Sequence, residues 1–166
     1  MTLLIGLPLL AIAAVIQSSV IANFHFYGGS LDLVLIMTLS WTLAGDWEGG
    51  AAWGFFGGLF VDLLSGGPFG LTSLALVLLA YLASLTEGRL WRSHVLLPLI
   101  TVALSTLGLH VISLLGLSVA GWPVDWPFNL LRVTLPAAVL NTVFMLPFSG
   151  AFRWLHDILY PAQVKM

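Results

Sequence analysis

Phe60-Val-Asp62-Leu-Leu-Ser-Gly66-Gly-Pro68-Phe-Gly70 sets a carboxylate at the end of a long uncharged run, directly before a cluster of helix-breaking residues. Glycine is too flexible and proline lacks the donor and the space to carry a helix through such a cluster. The chain therefore turns at Ser65-Gly66-Gly67-Pro68, and Phe69-Gly70 opens the return. Apolar runs flank the turn on both sides, so the stretch reads as the tip of a helical hairpin. Asp62 lies three residues before Ser65, roughly 5 Å along the helix from its end.

The rest of the chain shares this character. It has 166 residues, of which 60% are hydrophobic and 7% charged, with mean hydropathy +1.07. A soluble domain carries about a quarter charged residues, enough to keep its surface in water. This chain reads instead as an all-α integral membrane protein forming a single transmembrane domain. The net charge of −2 offers no basic stripe for nucleic acid. Without cysteine, disulfides and thiol chemistry are excluded.

A hydrocarbon core about 30 Å thick takes roughly 20 helical residues. Six segments meet or approach that length: 2–22, 30–46, 48–65, 69–87, 95–119 and 131–153. Residues 1–22 read as a retained span and not as a cleaved leader, because no Lys or Arg precedes the apolar stretch. The second and third segments join tightly through Ala44-Gly45-Asp46-Trp47-Glu48. Between the fifth and sixth lies Gly121-Trp122-Pro123-Val124-Asp125-Trp126-Pro127, expected as a loop, with Trp122 and Trp126 suited to a membrane interface. With six spans both termini share a side, as do Arg89, Arg92, Arg153 and Lys165, four of the five bases. Positive residues stay inside, so both termini are expected in the cytoplasm.

Within the apolar runs, polar residues are few. Gly50, Gly54 and Gly58 recur every four residues, giving a side-chain-free ridge that leads to Asp62. Such a ridge suits a partner's transmembrane helix or close packing inside this chain, and the internal use is preferred. Asp62 and Asp32 are both expected near the outer interface, where Arg132 is the available base, so an ion pair of Arg132 with one of them is predicted. Gln17, His110 and Asn141 lie deeper. They suit a proton relay or interhelical hydrogen bonds, for instance His110 to Asn141, and a lone histidine favours the second reading. Ser113, three residues after His110 on the same helix, forms no nucleophile elbow. No His/Glu spacing fits a metal site, and neither catalysis nor a cofactor is expected.

Three stretches taken together have a family look. Ile16-Gln17-Ser18-Ser19, Asp32-Leu33-Val34-Leu35 and Gly57-Gly58-Leu59-Phe60-Val61-Asp62-Leu63-Leu64-Ser65-Gly66-Gly67-Pro68-Phe69-Gly70-Leu71 resemble the rod shape-determining membrane protein MreD family. The resemblance in pattern covers roughly residues 10–90, and Leu31 stands where that family commonly has proline. It implies a non-catalytic scaffold of the bacterial elongation machinery, bound to the single-span protein MreC. Through MreC, or directly, the scaffold would reach the elongation transpeptidase and RodA, and so support peptidoglycan synthesis and cell shape, with membrane lipid around it. The resemblance also implies a fold similar to the substrate-binding subunits of energy-coupling-factor transporters, so a vitamin-binding subunit is the alternative. Its pocket would draw on Asn23, His25, Tyr27, Trp122, Asp125, Trp126 and Asn129.

Overall fold

A computed structural model describes residues 2–23, 27–85 and 96–160. Helix α1 spans Thr2–Ser19 and is followed by a 3-10 turn, Ile21–Asn23. Helix α2 spans Leu33–Leu43, α3 Trp47–Ser65, α4 Leu71–Ser84 and α5 Leu96–Val119. The last helix, α6, runs through Trp126–Leu159. Among the described residues all regular structure is helical. Two helices, α5 and α6, are long and apolar enough to cross a membrane, while α1, α2 and α4 contain shorter apolar helices. Arg89, Arg92 and Lys165, which carry most of the expected charge asymmetry, lie outside the described residues, as does His25.

Helix α2 is the axis of the bundle. It packs against α1, α3, α4, α5 and α6, and every residue from Val34 to Leu43 is buried. The others surround it in the order α1, α3, α4, α5, α6. The segment expected as a second span, 30–46, is helical over only 11 residues, or roughly 16 Å. Residues 27–32 reach it as non-helical chain, laid so close to α6 that a Cβ on Gly29 would collide with the backbone of Pro136 and Ala137. Such backbone survives away from water only where protein groups satisfy its hydrogen bonds.

Helix α3 is what the glycines make it. A Cβ on Gly50 would strike Thr42 of α2, and one on Gly58 would strike the Ser73 backbone of α4. At Gly54 it would lie 3.0 Å from the Leu76 backbone. The ridge is thus filled by this chain's own helices, the internal use preferred from the spacing. The other face of α3 carries Gly57, against Val34 and Leu10, and Trp53. Trp53 stacks on Trp41 of α2 with ring centroids 4.7 Å apart, and Phe152 of α6 meets both indoles edge-on. Asp46 caps α3 by accepting from the Gly49 N–H, and also accepts from the Trp41 indole N–H at 2.9 Å.

The last helix departs from expectation at both ends. It begins at Trp126 and not at 131, because the Asp125 side chain accepts from the Phe128 N–H at 3.1 Å and Pro127 occupies the first turn, where a missing N–H costs nothing. Its wide π turn, Asn129–Thr134, precedes Pro136, which supplies no N–H to the Arg132 carbonyl four residues back. It then continues to Leu159, beyond the expected 153.

Candidate functional site

A helix leaves its first N–H groups without intrahelical partners. Where a helix starts inside a bundle, other side chains must reach those groups. Asp62 does this for α4. Its Oδ2 accepts from the N–H of Gly70 at 2.9 Å and of Ser73 at 3.3 Å, and its Oδ1 accepts from Thr72 N–H at 3.1 Å. The turn between them depends on backbone that favours glycine, with Gly66 at φ +68° ending α3 and Gly70 at φ +89° beginning α4. Ser73 completes the joint by donating its hydroxyl to the Phe55 carbonyl.

Two more residues cap α2, each from a different helix. Asn141 Oδ1 of α6 accepts from the Asp32 N–H at 2.9 Å, and Gln17 Oε1 of α1 accepts from the Val34 N–H at 3.1 Å. The Asn141 amide nitrogen donates to Asp32 Oδ2 and to Thr106 Oγ1, both at 3.0 Å. Thr106 passes its own hydrogen to the Val102 carbonyl. Asn141 is fully buried, so its amide is completely committed.

His110 of α5 joins the same cluster. Its Nε2 lies 3.4 Å from Asp32 Oδ2, and its Nδ1 lies 2.9 Å from Thr134 Oγ1. Thr134 in turn donates to the Asn129 carbonyl at 3.1 Å, across the π turn. That wide turn brings Asn129, Val133 and Thr134 to a cavity of about 260 Å³. Gln17, Asp32, Thr72, His110 and Ser113 line it as well.

Several expectations change here. The ion pair with Arg132 is not formed: Asp62 is spent on the α4 amides, Asp32 faces His110 and Asn141, and Arg132 is exposed. Leaving the guanidinium outside the bundle avoids the large cost of burying it beside the cluster. His110 and Asn141 do not bond each other; both converge on Asp32. Nor is the histidine without an acid at its own level, because the shortness of α2 sets Asp32 deep between α5 and α6. Of the described residues proposed for a vitamin pocket, only Asn129 lines this cavity. Trp122 borders a second cavity, of about 360 Å³, beside Asp62 and the 65–68 turn. Thr106 and Thr134 were not anticipated. Threonines inside helices usually bond their own backbone, and only the fold reveals their second partners.

The sequence matches the family model of the rod shape-determining protein MreD over residues 1–156. The chain belongs to the MreD family. No curated protein and no solved structure matches. Family membership places the protein in the membrane and in rod shape determination. In this MreD-family chain the stretches that carried the resemblance include helix caps: Gln17 and Asp62 both hold the first amides of a neighbouring helix.

These caps are testable one at a time. Asn141→Leu keeps the size of the side chain but leaves the Asp32 N–H and carboxylate without their amide partner. Stranding buried polar groups should lower stability by about 2–3 kcal/mol. The measurement is a thermal or denaturant unfolding curve of the purified protein in detergent.

Proposed function

We propose that this protein is a non-catalytic scaffold of the bacterial cell-elongation machinery, holding an MreC-type single-span partner in the inner membrane. The observation that supports this most is the family match along residues 1–156. The internal chemistry agrees with a scaffold. Gln17, Asp62 and Asn141 are engaged in joining helices. Transpeptidase and RodA would be reached directly or through the MreC-type protein. In this reading both termini face the cytoplasm, and the α3–α4 turn and the 120–126 loop face outward.

The glycine ridge is closed by α2 and α4, so a partner helix docks elsewhere. Trp122, 57% exposed beside the 65–68 turn, is the anchor we assign to the partner's juxtamembrane segment. Interface energy concentrates in such aromatic anchors. Trp122→Ala should cut recovery of the MreC-type partner at least fivefold, on the order of 1 kcal/mol, while leaving the unfolding midpoint of the scaffold unchanged. The general test is pull-down from mild detergent with mass spectrometry of the captured proteins. Recovery of a single-span periplasmic protein supports the scaffold; recovery of an ATPase module with a vitamin-binding signal would replace it with the transporter alternative.

A further inference from the structure

The cavity beside Asp32, lined from all six helices, holds a carboxylate oxygen that the described residues leave unused. Asp32 is only 9% exposed. Its Oδ2 takes the Asn141 amide, but its Oδ1 receives no hydrogen bond from any described residue. The tautomer of His110 follows from its neighbour. Thr134 has one hydroxyl hydrogen, and the Asn129 carbonyl, which can only accept, lies 3.1 Å from it. Thr134 Oγ1 therefore accepts from His110 Nδ1–H at 2.9 Å. The other ring nitrogen, Nε2, faces Asp32 Oδ2 from 3.4 Å.

Among the described residues no Lys or Arg lines this cavity, and Arg132 is exposed. A buried carboxylate oxygen without a donor is unfavourable, so a cation that brings its own N–H donors is a complementary occupant for Asp32 Oδ1. The remaining wall extends the same demand. Asn129 donates its amide to the Asp125 carbonyl, which frees its Oδ1 to accept, and the Ser113 and Thr72 hydroxyls add further acceptors. Val61, Leu109, Leu114 and Val133 offer room for a short alkyl chain. At about 260 Å³ the cavity falls below the roughly 300–1,000 Å³ typical of drug-sized ligands. We infer that the cavity between Asp32 and His110 is a binding site for a primary ammonium group on a short carbon chain. Such a group is carried by a free small amine or by the headgroup of an ethanolamine phospholipid.

The test uses the full chain purified in mild detergent. Ethanolamine hydrochloride and choline chloride are titrated at equal ionic strength while the unfolding midpoint is followed. Choline is the control because its nitrogen is cationic but has no N–H. Ethanolamine should raise the midpoint saturably and choline should not. Asp32→Asn should weaken ethanolamine binding at least tenfold. Ser113→Leu should do the same by filling the cavity, and it breaks no hydrogen bond of the fold, so it decides the matter if the Asp32 variant fails to fold. Native mass spectrometry separates the sources: retention of phosphatidylethanolamine over phosphatidylcholine identifies the lipid, and ethanolamine binding without lipid preference identifies a free amine. The proposal is overturned if wild type shows neither response. It is equally overturned if choline matches ethanolamine, which would show a general cation effect, or if Ser113→Leu binds as wild type does.

Discussion

Gly58→Leu should prevent α3 and α4 from packing, with a loss of stability above about 3 kcal/mol and little correctly folded protein recovered from the membrane. The reason is that the obstacle is backbone. A Cβ on Gly58 would meet the Cα and N of Ser73 and the carbonyl carbon of Thr72, none of which can swing aside as a side-chain tip can. In lipid, helices associate through close packing and a few hydrogen bonds, because hydrocarbon offers no hydrophobic force to press them together. Forcing α3 away from α4 would also pull Asp62 off the amides that it caps and Ser73 off the Phe55 carbonyl. Two comparisons isolate the effect. Gly54→Ala, whose Cβ would sit 3.0–3.2 Å from the α4 backbone, should cost less, and Gly150→Ala, where a Cβ meets nothing, should be nearly silent. Size-exclusion profiles and unfolding midpoints of the three variants rank them; equal behaviour would show that the ridge does not set the α3–α4 distance.

Asp62→Ala should be the most damaging loss of a single polar group, by about 3–5 kcal/mol, since hydrogen bonds to a charged acceptor contribute about 1.5–3 kcal/mol and three amides lose theirs together. The carboxylate also lies where the α4 dipole favours an anion. Ser65 and Gly66 of the turn are exposed, but Asp62 and Ser73 are buried. Asp62→Asn separates the contributions, because the amide keeps one accepting oxygen and loses the charge, so an intermediate midpoint is expected. Hydrogen exchange at Thr72 and Ser73 supplies the local readout: protection should fall in both variants before the rest of the bundle is affected. A uniform loss of protection across all helices would instead mean that the turn opens only with global unfolding.

The turn at 65–70 was legible in advance because its causes are local. Glycine and proline impose backbone conformations wherever they occur, and Gly66 and Gly70 take positive φ as such a turn demands. The glycine spacing in α3 likewise gave a ridge at a known pitch, and a ridge must face something close. What it faces is a question of assembly, answered by Thr42, Ser73 and Leu76. The boundaries of α6 were misjudged because Pro127 reads as a breaker at any position, whereas in the first turn of a helix it is at home. Only a cap at Asp125 reveals where the first turn lies.

The polar residues mark the limit most clearly. Hydropathy identifies Gln17, Asp32, Asp62, His110 and Asn141 as unusual in their surroundings, because the cost of placing each among apolar groups is a property of the residue itself. Helical architecture, close helix contacts and family membership were carried by such local properties. Partnership was not. Asp32 meets Asn141 across 109 positions of sequence, and it does so because α2 is short and starts inside the bundle, with its first amides in need of acceptors. Depth and rotation of a helix are set by packing against all of its neighbours at once. Only the tertiary structure could therefore turn scattered polar letters into two helix caps and an acid–histidine pair at the edge of a cavity.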